Sequence, residues 1–201
     1  MTIVVSTCYF PPVNWFALLA GEYNVCIEKH ENFKKQTYRN RCEILSANGK
    51  LALSIPVVKN HNVKTPVTEV KIDYSAPWQR IHLQSIRSSY GKTPYFIHYF
   101  DDIKEIIECG EQNLWDLNKK SIEFFTSVLE INYPAETNEF LKSYPAGCDF
   151  RDAVHPKKNI INTEFKPYIQ AYSDKFAFVP GLSVLDLLFN MGPDSRTYIK
   201  K

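Results

Sequence analysis

Within fewer than thirty residues the chain runs through a strand, a helix and a second strand, and that succession restricts its fold more than any other feature. Ile3, Val4 and Val5 are three consecutive β-branched residues, which suit a sheet interior better than a helix. Pro11 and Pro12 then break the run, since each proline fixes its own φ and pushes the residue before it out of the helical region. The pattern predicts a helix over 13–21 with Gly21 as its stop, and a second apolar strand over 23–28. Such a βαβ unit implies a parallel pair with a right-handed crossover. Ligands of such sheets bind beyond the carboxyl ends of the strands, so residues 7–12 and 29–37 are the first places to look for a site.

Further along, residues 38–45 and 51–58 flank Asn48-Gly49, a strong hairpin signal. The alternation over 67–72 predicts one more strand. Helical periodicity follows over 76–90, 94–109 and 113–131, the first with Trp78, Ile81, His82, Ser85 and Ile86 along one face. Residues 132–163 read mostly as loop, 165–178 hold a short strand, and 183–189 form a helix capped by Ser183. The fold class expected is α/β: an N-terminal βαβ unit with a mixed sheet including a β-hairpin, covered by C-terminal helices. We expect a single domain over 1–201, with the sheet part at about 1–73 and the mainly helical part at about 74–201.

A net charge of +2, with acidic and basic residues interspersed, is too mild to imply nucleic acid. The apolar stretches 1–5 and 13–20 fall short of the roughly 20 residues that cross a bilayer, and the first residues lack the basic start of a signal peptide. A cytoplasmic location is the expectation. Five cysteines without C-x-x-C spacing argue against a disulfide framework or a zinc ribbon; of these, Cys8, in a loop, is the one placed to suit chemistry.

The polar stretch from Glu28 to Arg41 holds most of the candidate site residues. On a strand, Arg39 and Arg41 point to one face and can clamp a phosphate or carboxylate bidentately, with Asn40 between them and Lys35, Tyr38 and Tyr9 as further substrate-binding candidates. The plainer alternative is an exposed strand whose arginines pair with Glu43 and other acids. Glu28, His30 and His82 are the candidate acid and base groups. His82 is equally compatible with a core histidine bonded to a neighbour. The Glu28, His30, Glu31 spacing is not a metal motif, no metal is expected, and the sequence names no cofactor. Gly91-Lys92-Thr93 looks like the end of a P-loop, but Ile86 stands where the first glycine is required. Asp149, Arg151, Asp152 and His155 read as a solvated loop, and Asp186 as a buried, paired carboxylate.

Taken together, the segments Ser-Thr-Cys-Tyr-Phe-Pro-Pro (6–12), Lys-Gln-Thr-Tyr-Arg-Asn-Arg-Cys (35–42), Leu-Ser-Ile-Pro-Val-Val-Lys (53–59), Trp-Gln-Arg-Ile-His (78–82), Ser-Tyr-Gly-Lys-Thr-Pro-Tyr-Phe (89–96) and Leu-Ser-Val-Leu-Asp-Leu-Leu-Phe-Asn-Met-Gly-Pro (182–193) resemble the WbqC-like protein family almost end to end. The resemblance implies a place in surface-polysaccharide or O-antigen biosynthesis, with aminoacyl (glycine) transfer to an amino sugar as the suggested chemistry. It also coincides with Arg39, Arg41 and His82. Many members open with His-Gln-Pro where this chain has Ser6-Thr7-Cys8, which puts chemistry that needs that histidine in doubt.

Two expectations follow. The first is a transferase acting on an anionic precursor, a nucleotide-linked sugar or an activated amino acid, with Arg39 and Arg41 on the anion and His30 or His82 on the proton. The second is a non-catalytic binding or scaffold protein of a polysaccharide-assembly machinery, which a divergence of Arg39, Arg41 and His82 would favour. Hydrolysis with Cys8 as nucleophile is a third, weaker option that needs a base within hydrogen-bond reach.

Overall fold

The computed structural model describes residues 1–58, 64–159 and 166–200. Strand β1 (Thr2–Ser6) pairs in parallel with β2 (Asn24–Glu28), in the register that sets Val4 beside Cys26 and Ser6 beside Glu28. Helix α1 (Val13–Ala20) makes the crossover between them. It starts behind Pro12, and Trp15 donates from its indole Nε1 to the carbonyl of Ser6 at 3.1 Å, which fixes the end of β1. The sheet widens on both sides. Beyond β2 lies β5 (Ala135–Glu136), also parallel. Beyond β1 lies the segment 148–150, which brackets Val4 in a parallel bridge with hydrogen bonds from Val4 N–H to Cys148 and from Phe150 N–H to Val4, both 2.8 Å. Four extended segments thus run side by side with their carboxyl ends on one edge.

The hairpin of β3 (Arg41–Ser46) and β4 (Gly49–Ser54) forms as expected, with Gly49 in the left-handed region at φ +96°. It is hydrogen-bonded as its own two-stranded ribbon. Its first strand begins at Arg41, because residues 35–40 are wound into turns in which Gln36 takes a positive φ of 59°. The strand expected over 67–72 is instead a short 3-10 turn, Val67–Glu69, followed by single bridges. The alternation was a burial signal over 69–72, where Val70 and Ile72 are in the core; Val67 is buried too but out of that phase. Pro66, however, directs the chain into a turn rather than a ladder. This segment supports the loop after β2 through Val67 N–H to Glu31 O and Phe33 N–H to Thr65 O, each 2.9 Å.

The helices follow the expected order as α2 (Trp78–Tyr90), α3 (Phe96–Glu108) and α4 (Leu114–Val128). On α2 the buried face is Trp78, His82, Ile86 and Tyr90, whereas Ile81 is 49% exposed. Among the described residues of 165–178 there is no strand, and the loop region 132–159 contains β5 and a small antiparallel pair, β6 (Val154–His155) and β7 (Lys158–Asn159). Helix α5 (Val184–Met191) is capped by Ser183, which accepts from Leu185 N–H and donates to Phe10 O. A final short helix, α6 (Ser195–Ile199), closes the described chain. None of the described helices is long and apolar enough to cross a membrane.

Candidate functional site

At the carboxyl edge of the four parallel segments lies a cavity of about 480 Å³. Its lining brings Glu31, Phe33 and Lys34 from the loop after β2 together with Phe140, Lys142, Asp149, Arg151 and Asp152 from the far part of the chain, and with Lys64. Four cations therefore face three carboxylates and two aromatic rings.

Two arginines are built into this edge. Arg39 is 2% exposed and is held by Glu31, with Nε donating to Oε1 at 2.8 Å and Nη2 to Oε2 at 2.5 Å. Nη2 also donates to Ser6 Oγ at 2.5 Å, and that hydroxyl in turn donates to the Arg151 carbonyl at 2.9 Å. Arg151, 9% exposed, pairs bidentately with Asp149, whose carboxyl is held below the usual carboxylate range chiefly by that bond. Its guanidinium also lies 4.9 Å from the Tyr144 ring centroid and 3.6 Å from Glu28 Oε2. A fork of donors on a rigid edge is the usual way to recognise a carboxylate or phosphate.

Glu28 sits beneath this layer, fully buried. It accepts from His30 N–H at 2.9 Å, from Thr137 Oγ1 at 2.8 Å and from the Tyr144 hydroxyl at 3.2 Å. Its oxygens thus tie the ends of β2 and β5 together. His30 is exposed and donates from Nε2 to the Thr137 carbonyl at 3.1 Å.

The residues expected to act together do not converge. Arg41 is on the hairpin, where Nε donates to Ser54 Oγ at 3.2 Å, so it shares no strand face with the buried Arg39 and the two form no clamp. Asn40 bonds the Ile55 carbonyl at 2.8 Å, Tyr38 donates to Glu43 at 3.3 Å, and Lys35 stands exposed in the turn outside the cavity lining. His82 lies in the core, 2% exposed, with Nδ1 at 3.0 Å from the buried Tyr9 hydroxyl and its ring edge-on to Trp78. Burial outweighs a backbone hydrogen bond to Ser54 and lowers its pKa to about 4, so near neutral pH it is an uncharged core histidine. Cys8 is buried, and loss of solvation pushes its thiol up to about 12 despite the nearby Arg39. It is not an activated nucleophile.

In the other direction, Arg151, Asp149 and Asp152, expected in a solvated loop, belong to the cavity wall. Sequence spacing could not find them, because Arg151 meets Ser6 across 145 residues and Tyr144 meets Glu28 across 116. Gly91-Lys92-Thr93 borders a different hollow of about 770 Å³, whose charged residues, Arg87, Lys92 and Asp174, are all exposed. Among the described residues no group of three or more His, Cys, Asp or Glu side chains is arranged to hold a metal ion.

The buried His82 makes stability depend on pH. In the unfolded chain its pKa is near 6.5, and in the native protein it is about 4. Above pH 6.5 both states are neutral and the group contributes nothing. As pH falls from 6.5 towards 4 the unfolded state takes up the proton first, so native stability declines by roughly 2–3 kcal/mol. His82→Gln is expected to flatten that part of the curve, measured as urea midpoints at stepped pH; an unchanged slope would show that other groups carry it.

Comparison with known proteins places the chain. "Uncharacterized protein Rv1507c" of Mycobacterium tuberculosis (strain ATCC 25618 / H37Rv) is 23% identical over 226 residues, covering 98% of this chain and 96% of that protein. No solved structure matches. The model of the WbqC-like protein family matches residues 7–147 and 141–198, which take in both the β1 and β2 loops and the Arg151 segment, and the chain belongs to that family.

Proposed function

We propose that the protein binds an anionic small molecule in the cavity at the carboxyl edge of its parallel sheet, and acts there as a transferase on an activated precursor of a surface polysaccharide, a nucleotide-linked sugar or an aminoacyl donor. The observation that carries the binding reading is the set of four cations around one cavity of about 480 Å³, backed by the nearly inaccessible Arg39. Anions are recognised by such preorganised donors because the cost of ordering them is met during folding rather than at binding. Phe33 and Phe140 supply apolar walls for the remainder of a ligand. The polysaccharide context rests on the family resemblance, and fold or family alone does not supply a reaction.

A second reading, a non-catalytic binding protein of the same assembly machinery, is favoured by one specific observation. Arg39, Arg41 and His82 diverge, and His82 is sequestered with Tyr9 rather than facing the cavity. Binding and turnover separate the two readings. A nucleotide-sugar or aminoacyl donor is expected to raise the melting temperature by mass action on the folded state. Lys34→Ala with Lys142→Ala, both at exposed positions in the lining, should weaken donor affinity by about tenfold to a hundredfold without altering the unliganded melting temperature. Transfer of the donor group to an amino sugar, followed by mass spectrometry, decides for the enzyme. Binding without transfer decides for the second reading, and no shift with either donor class removes the first.

A further inference from the structure

Of the acids in the cavity wall, Asp152 differs from the rest in what holds it. Glu31 is buried and locked to Arg39 through both oxygens, and Asp149 is locked to Arg151. Asp152 is 55% exposed at its side chain and bridges two cations of unequal kind. Its Oδ2 lies 2.6 Å from Lys34 Nζ, itself 53% exposed, while Oδ1 stands 4.0 Å from Nη2 of the buried Arg39, beyond hydrogen-bond reach. The backbone behind it is pinned to the sheet edge, because Ser6 Oγ donates to the Arg151 carbonyl and Phe150 N–H donates to Val4. Only the short side chain is free to leave.

We propose that Asp152 is a built-in competitor for the anion site, a carboxylate occupying the place between Lys34 and Arg39 that the anionic group of a ligand takes when it binds. This rests on the reading of the cavity as an anion site. Three points of physical chemistry carry it. The Lys34–Asp152 bond is an exposed ion pair, of the kind that contributes little and is readily exchanged. The guanidinium of Arg39 cannot follow Asp152 outward, because Glu31 and Ser6 hold it, so the vacated position keeps Lys34 without its partner in front of a fixed guanidinium. A singly charged ligand group merely replaces one carboxylate by another, whereas a doubly charged group such as a phosphate gains on exchange. The site is thereby graded towards ligands of higher charge, and small monoanions are kept out.

The test compares the full chain with its Asp152→Asn and Asp102→Asn variants, titrated calorimetrically with inorganic pyrophosphate at low ionic strength. Asp102 is an exposed carboxylate on α3, away from the cavity lining, so its variant makes the same change in net charge elsewhere. Asp152→Asn is expected to bind pyrophosphate about tenfold more tightly than the parent, with Asp102→Asn unchanged. Equal or weaker binding by Asp152→Asn, or an equal gain in Asp102→Asn, overturns the proposal. If the parent binds and Asp152→Asn does not differ, the competitor role alone falls. If none of the three binds, the anion-site reading falls with it.

Discussion

Glu31→Ala is expected to lower the stability of the folded protein by about 3–5 kcal/mol, the cost of leaving a buried guanidinium without its partner. Glu31 and Arg39 are 3% and 2% exposed and share two hydrogen bonds, so removing the carboxylate leaves a largely buried guanidinium without its countercharge. In a chain of 201 residues this corresponds to about 2–4 °C of melting temperature for each kcal/mol. Replacing both members, Glu31→Leu with Arg39→Met, should restore much of the loss, because an apolar pair of similar volume carries no desolvation penalty. The double variant should at the same time bind anions poorly. Urea denaturation of the single and double variants measures the first effect. A single-variant loss within about 1 kcal/mol would mean that the pair behaves as a solvated one.

Gly192→Ala should be comparably damaging for a different reason. Gly192 has φ +54° at the end of α5, and a Cβ there would lie 2.3–2.5 Å from the ring carbons of Tyr95. The ring cannot simply retreat, since Tyr95 N–H is bonded to the Phe189 carbonyl of the same helix and one of the three close atoms is Cγ, the ring carbon nearest the backbone. Backbone strain costs about 1–3 kcal/mol and overpacking a similar amount. Tyr95→Ala in the Gly192→Ala background is expected to recover the steric part but not the backbone part. Full recovery, seen in thermal denaturation, would show that the positive φ carries no strain for alanine.

What could be read from the sequence was local. Three β-branched residues, a double proline and a glycine stop specified the βαβ unit, and Asn48-Gly49 specified the hairpin, because each signal acts within a few residues. Val70 and Ile72 show where that reasoning stops: their alternation reported burial correctly, but Pro66 and the anchoring of Val67 N–H on Glu31 decided the conformation. For Arg39 the partner is eight residues away, across turns that include a positive φ at Gln36. A strand pattern extended by three residues too many therefore turned a buried ion pair into an anion clamp. His82 was legible as a helix-face residue, yet its neutrality comes from burial in a core whose hydrogen-bond partner, Tyr9, is 73 residues distant. Arg151, Asp149 and Asp152 carried no periodic signal, since they stand at the end of an irregular segment that becomes extended only against Val4.

The flanking of β1 and β2 by β5 on one side and by residues 148–150 on the other bears on how the chain is made. A nascent chain that has emerged only through α4 holds the two central strands but neither of their outer neighbours, both of which are encoded later. Its carboxyl edge then lacks Thr137, Asp149, Arg151 and Asp152. Pairings of such long sequence separation form slowly, so the sheet is completed late in synthesis or after release, and the unpaired edges of the early strands are the part of this protein most in need of protection on the ribosome.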